Sequence, residues 1–260
     1  MKLISLTLIV LISAFAGFSQ TNKGTKQVTS KKISKKIVSI DAYSTVSFDL
    51  DIKSLPPYFI GHNARLLYEK LLPLAVEANS GCRKFEKSNE CQTRLNQLYE
   101  RKFWNGLTPD DLFAFSISVE CGYNADTAEM SCPEFSPGFK YYTWSHNLIE
   151  SKTYIGQNVF GVKKPVIYRK FENIHIEDND YLPNLKVQNI QPDEARKVIN
   201  NMKLLLTGKF VSPFVRRDIA SYKPTIDEPI HTEGINKYLS IEIEEIWLYD
   251  FVTGKIYRKN

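Results

Sequence analysis

The hydrophobic pattern of the chain alternates between strand-like and helix-like stretches. Phe113, Phe115, Ile117 and Val119 alternate with Ala114, Ser116, Ser118 and Glu120, the period of a strand with one apolar face. The same period runs through Val46, Phe48 and Leu50, which predicts a half-buried strand over 44–51. It returns from Tyr238 to Tyr249, followed by a turn at 250–254 and a last strand over 255–259. From 139 to 180 the chain reads as sheet, with an aromatic cluster of Phe139, Tyr141, Tyr142 and Trp144. Glu150-Ser151-Lys152 forms a turn there, and strands over 153–160 and 162–176 flank a hairpin or bulge at Gly161.

Helical spacing appears three times. Leu66, Leu67, Leu71, Leu74 and Ala75 predict a helix over 62–77, which Pro73 is expected to kink or end. Asn89 as N-cap, with Gln92 three residues on, predicts a helix from Glu90 to about Trp104. Pro192-Asp193-Glu194 opens a third, with Ala195, Val198, Ile199, Met202 and Leu205 or Leu206 inside and Gly208 as terminator. Pro213, Pro224, Pro229 and Gly234 make 209–235 read as loop. Pro133 and Pro137-Gly138 close an earlier hairpin that turns at 123–126 and returns over 127–132. The fold class that follows is α+β: one antiparallel or mixed sheet with about three flanking helices.

The first nineteen residues stand apart from this pattern. Lys2, an apolar run from Leu3 to Ile12, and small residues at Ala14, Ala16 and Gly17 match a secretory signal peptide. Ser5, Thr7 and Ser13 break the run below the length of a membrane span, so no transmembrane segment is expected in the mature chain. Residues 20–36 then form a flexible basic linker, and 37–260 a single globular domain. Export changes the reading of the four cysteines, Cys82, Cys91, Cys121 and Cys132. In an oxidising compartment they become two disulfides. Three pairings exist, and chain order favours Cys82 with Cys91 and Cys121 with Cys132. Nine residues within one helix span too far for a bond, so the first pairing needs a loop between the helices.

Charge narrows the partners. The chain carries a formal net charge of +5, but Lys2 and the six lysines between 23 and 36 meet no acid before Asp41. The body from Ile37 onward is therefore slightly acidic. No nucleic-acid partner is expected, because such proteins carry their positive charge on the folded face that tracks phosphates. The lysine tail is suited to weak contact with an anionic surface.

Candidate chemistry is sparse. His62, His146, His175 and His231 stand in no metal-binding spacing. His231 with Asp227, Glu228 and Glu233 is the nearest approach to a metal set, and Asp178-Asn179-Asp180 lacks the glycine and spacing of a calcium loop. No GxSxG and no GK[ST] occurs, so neither a serine nucleophile nor a phosphate loop is marked. No metal and no cofactor is expected. Tyr141, Tyr142, Trp144 and Tyr154, with His146 beside them, are the candidate ligand-binding residues, since such side chains join apolar area to a polar handle. The ligand would be a protein, a glycan or a small apolar molecule.

The segments Tyr154-Ile155-Gly156-Gln157-Asn158-Val159-Phe160-Gly161-Val162, Pro224 to Pro229, and Glu245-Ile246-Trp247-Leu248-Tyr249-Asp250 with Thr253-Gly254 resemble a group of exported bacterial proteins without an assigned activity. That resemblance implies export and no particular chemistry. The expected function is a noncatalytic binding or structural role in the cell envelope, periplasmic or secreted. The alternative is a secreted or periplasmic hydrolase with a site near His146.

Overall fold

A computed structural model describes residues 43–132, 141–157, 160–178 and 185–260. The predicted leader, the basic linker and the expected stops at Pro133 and Pro137-Gly138 lie outside the described residues. So do Phe139, Asn158, Val159, Asn179, Asp180 and Pro183.

Two 21-residue strands, β7 (Met202–Tyr222) and β8 (Ile230–Asp250), organise the sheet as one long antiparallel hairpin. Earlier elements dock on this pair. β1 (Phe113–Ser118) lies antiparallel along the first part of β7. β5 (Lys163–Glu177) runs parallel to the first half of β8, and β4 (Tyr141–Gln157) pairs antiparallel with β5. β9 (Ile256–Lys259) covers the far end of β8. The order is β1-β7-β8-β5-β4, a mixed six-stranded sheet when β9 is included. A second sheet of three short strands contains β2 (Gly122–Asn124), β3 (Glu129–Cys132) and β6 (Leu185–Val187).

The core follows from the alternation along these strands. Leu204 and Leu206 face one way with Ile246 and Leu248, while Leu205 faces the other way with Trp247 and Tyr249. The first face packs against α1 (Ala64–Asn79) through Leu67, Leu71 and Leu74, and against Phe113, Phe115, Phe210 and Phe214. The second is covered by Phe48 and Leu55. Each of these large side chains contributes roughly 1.5–3 kcal/mol on burial.

Both disulfides form in the pairing that chain order favours, Cys82–Cys91 and Cys121–Cys132. The first spans the loop between α1 and α2 (Ser88–Asn96), where Arg94 brackets Glu86 with hydrogen bonds of 2.8 and 3.0 Å. Those bonds hold the Glu86 carboxyl down at about 2. The second disulfide closes the β2–β3 hairpin. No described helix is long and apolar enough to cross a membrane, which says nothing about strands.

Several elements differ from expectation. α1 continues through Pro73, whose residue is exposed, so the freed Glu69 carbonyl does not have to be buried. α2 starts at Ser88, not Glu90. Its N3 partner is Glu90, which accepts from the Lys87 N–H at 3.3 Å. It stops at Asn96, well short of Trp104. Residues 44–51 form no strand; Phe48 is buried, and isolated bonds such as Phe48 N–H to Leu112 O and His62 Nε2 to Val46 O tie the segment down in place of a ladder. β4 runs straight through the expected turn at 150–152, with bulges between Thr143 and Ser145 and between Leu148 and Glu150.

The largest correction concerns 199–235. α3 (Pro192–Val198) ends early in one turn of 3-10 helix (Ile199–Asn201), and Met202 begins β7 instead of continuing a helix. The run from Leu204 to Thr207 is apolar or small on both faces because both faces are covered, and such a run does not distinguish helix from strand. The prolines do not prevent long strands. Pro213, preceded by a cis peptide, sits in the bulge between Phe210 and Val215. Pro224 and Pro229 occupy the turn between β7 and β8, where no ladder bond is lost.

Candidate functional site

The sheet curls so that its edge strands β1 and β4 approach each other without pairing. Segment 60–62 covers the first part of the outer edge of β1, through His62 N–H to Ala114 O at 2.7 Å. Beyond it a gap remains between Ser116 and Ser118 of β1 and Trp144, Ser145 and Asn147 of β4. Asn63 and Arg65 at the start of α1, Lys203 of β7, Tyr43 and Ile60 complete a pocket of about 480 Å³.

Its polar groups are only partly engaged. Ser145 Oγ is buried with no hydrogen-bond partner among the described residues, an arrangement that costs roughly 1–3 kcal/mol. Tyr249 donates its one hydroxyl proton to Phe59 O at 2.7 Å, so Ser116 must be the donor in the 2.6 Å contact between Ser116 Oγ and Tyr249 Oη. The lone pairs of Ser116 are left to accept. Asn63 caps α1 by accepting from Leu66 N–H at 3.0 Å. Arg65 pairs with Glu172 at 2.8 Å. Lys203 has no carboxylate within ion-pair distance among the described residues; its ammonium lies 3.8 Å from the centre of the Phe251 ring, and burial lowers its pKa. The Trp144 ring is tilted against Tyr43, with centroids 6.2 Å apart. The pocket thus offers an aromatic wall, the Ser145 hydroxyl, the free lone pairs of Ser116, an amide and cationic groups. Such groups can exchange hydrogen bonds with hydroxyls and pair with anions.

The five predicted ligand-binding residues do not share one groove. Trp144 lines the gap pocket. Tyr142 is buried in the core, and burial pushes its hydroxyl pKa up. Tyr141 lies on the opposite face of the sheet, its ring 4.4 Å from His175 and 5.5 Å from Tyr238. His146 lies on that same outer face, stacked on Phe171 and bonded through Nδ1 to Asn173 Oδ1 at 2.6 Å. From there a polar ladder crosses the sheet through Asn173, Asn236 and Asp218, with bonds of 2.8 and 2.7 Å. Beside it Arg216 reaches Glu177 at 2.7 Å and covers the Tyr238 ring. These bonds engage the ladder internally. Tyr154 is far along β4, where its hydroxyl meets His231 Nδ1 at 3.3 Å and its ring lines a second, mainly apolar pocket.

His231 therefore faces Tyr154, Tyr168 and Ser221, and Glu233 is engaged by Lys170 and Tyr168. Among the described residues the one cluster with metal-ligand geometry is Cys82, Glu86 and Cys91, whose sulfurs are already joined to each other.

Sequence reasoning reached Trp144 and missed the rest of the gap pocket. Its residues come from five separate stretches, and the alternating Ser116 and Ser118 on an otherwise apolar strand are the only local trace. No family model, no curated protein and no solved structure matches the chain.

Proposed function

We propose that the protein is an exported, noncatalytic binding protein of the cell envelope, periplasmic or secreted, whose ligand site is the gap between β1 and β4. The ligand is a glycan bearing a carboxylate. One observation carries this reading: the buried hydroxyl of Ser145 has no partner among the described residues and lines the same pocket as Trp144, Asn147 and Lys203. A sugar hydroxyl would satisfy it, an aromatic ring would cover the sugar's apolar face, and Lys203 would meet the carboxylate. The two disulfides agree with an oxidising destination. The hydrolase alternative gains less support, because the partners of His146 are an amide and a phenyl ring, which supply no proton relay.

The test is titration of the mature protein with acidic and neutral oligosaccharides, following tryptophan fluorescence and heat. Ser145→Ala is expected to weaken binding about tenfold, the loss of roughly one hydrogen bond. The same change should leave the free protein as stable as before or more so, since it removes an unsatisfied group. Trp144→Ala should abolish the fluorescence response. Affinity unaltered in both variants, or no saccharide binding at all, would sink the proposal. Intact mass of protein exported by its host should begin near residue 17 or 20 and lie four hydrogens below the reduced value.

A further inference from the structure

Beyond the core, β4, β5 and the adjoining ends of β7 and β8 extend as a sheet with little cover. Every residue of β4 from His146 to Ile155 is exposed, so both faces meet solvent. At its far end the exposed side chains are apolar: Phe160 is 87% exposed, Ile155 63%, and Val162 and Ile226 57% each. Ile155, Val162 and Ile226 also line the pocket of about 490 Å³ at this end, so the apolar surface is continuous between the β4–β5 hairpin and the 223–229 turn.

The β4–β5 side of this tip carries charge of one sign. Residues 151–170 contain Lys152, Lys163, Lys164, Arg169 and Lys170 and no acid, although the body as a whole is slightly acidic. Lys163, Lys164 and Arg169 are exposed and have no carboxylate within ion-pair distance among the described residues. Lys164 instead donates to Ile226 O at 2.7 Å, which ties the hairpin to the turn. That turn adds Lys223, Asp227 and Glu228.

We infer that this end of the sheet docks on an anionic lipid bilayer, with Phe160, Val162, Ile155 and Ile226 entering the headgroup boundary and Lys163, Lys164 and Arg169 meeting the phosphates. Apolar residues at the extremity with cations just behind them match the layering of a bilayer surface, where burial and electrostatic attraction add. A second copy is a poorer occupant, because tip-to-tip contact would bring unpaired cations together. The site uses no residue of the lysine tail or of the gap pocket, and it does not depend on a glycan ligand.

The experiment is cosedimentation of the mature chain with vesicles of phosphatidylglycerol and phosphatidylcholine in equal parts, beside vesicles of phosphatidylcholine alone. Binding is expected to the anionic vesicles and to weaken with salt. Phe160→Ser with Val162→Ser should lower the partition coefficient at least about tenfold. Lys163→Glu with Lys164→Glu should lower it and flatten the salt dependence. All four positions are exposed, so the fold should tolerate these changes, and near-ultraviolet circular dichroism checks that. A full chain with its six tail lysines replaced by glutamine should still bind. Absence of binding, binding that survives the tip changes, binding lost with the tail lysines, or a tip-dependent dimer without lipid would each overturn the inference.

Discussion

His62 is fully buried, and its ring is fixed from both sides. Nδ1 accepts from Ala114 N–H at 3.0 Å, and Nε2 donates to Val46 O at 2.9 Å, which defines the neutral tautomer. Burial lowers its pKa, and His175 is lowered for the same reason. Both rings are therefore neutral in the folded state, while the unfolded chain takes up protons as pH falls through about 6.5. The stabilisation is complete above that value and drains away below it. Urea midpoints measured from neutral to mildly acidic pH should fall, with a smaller fall in a His62→Gln/His175→Gln variant. Equal slopes would rule out these two rings as the source. His62→Ala should cost about 3 kcal/mol, because it leaves the Ala114 N–H unpaired in the core. The neighbouring Gly61 is equally constrained. At φ +71° an added Cβ would lie 2.2 Å from Ala114 O, so Gly61→Ala should destabilise by more than a routine substitution, read as a drop in melting temperature.

Among elements, the β2–β3 hairpin depends most on a covalent tie. It consists of strands of three and four residues, too short to stand alone, and Cys121–Cys132 closes an 11-residue separation across it. Chain-entropy arguments give such a loop about 3 kcal/mol. A Cys121→Ser/Cys132→Ser variant should lose stability of that order in denaturant melts, and Met130 and Tyr123 should become accessible. That pairing could be read from the sequence because short local spacing leaves few alternatives. β1, the part of the β4–β5 hairpin around Gly161, and the β8–β9 pair from Tyr238 onward were also legible, each from a period of two or a glycine between strand-like runs, while the turn expected at 150–152 and the loop expected up to 235 hid the rest of β4 and β8. β7 was not. Leu204, Leu205 and Leu206 lack periodicity because neighbours bury both faces, and Pro213 suggests a break where the strand only bulges. Local pattern reports on exposure, and a strand without exposure gives no pattern.

At the scale of the molecule the same limit hides the gap pocket, since curvature of the whole sheet brings Ser116, Asn63, Trp144 and Lys203 together across more than a hundred residues. Curvature also divides the sheet energetically. Near α1, strands β1, β7 and β8 are buried on both sides by Phe113, Phe210, Leu205, Trp247 and Tyr249. Toward the 223–229 turn, β7 carries Ile219 and Tyr222 at 61% and 71% exposure, and β4 is exposed from His146 to Ile155. Backbone bonds in a sheet covered on neither face open without first breaking a core, so local opening there costs less than global unfolding. Hydrogen exchange read by mass spectrometry should therefore resolve two regimes. Amides of 151–157, 163–168 and 219–222 should exchange early, and those of 113–118, 202–208 and 244–249 only with global unfolding. Uniform slow exchange would mean that cross-strand contacts such as Lys170–Glu233 and Tyr168–His231 hold the outer sheet as firmly as the core holds the inner one. If the two regimes appear, anionic vesicles should slow the early set and leave the late set unchanged. Lipid is then acting on the part of the sheet that the protein itself leaves uncovered.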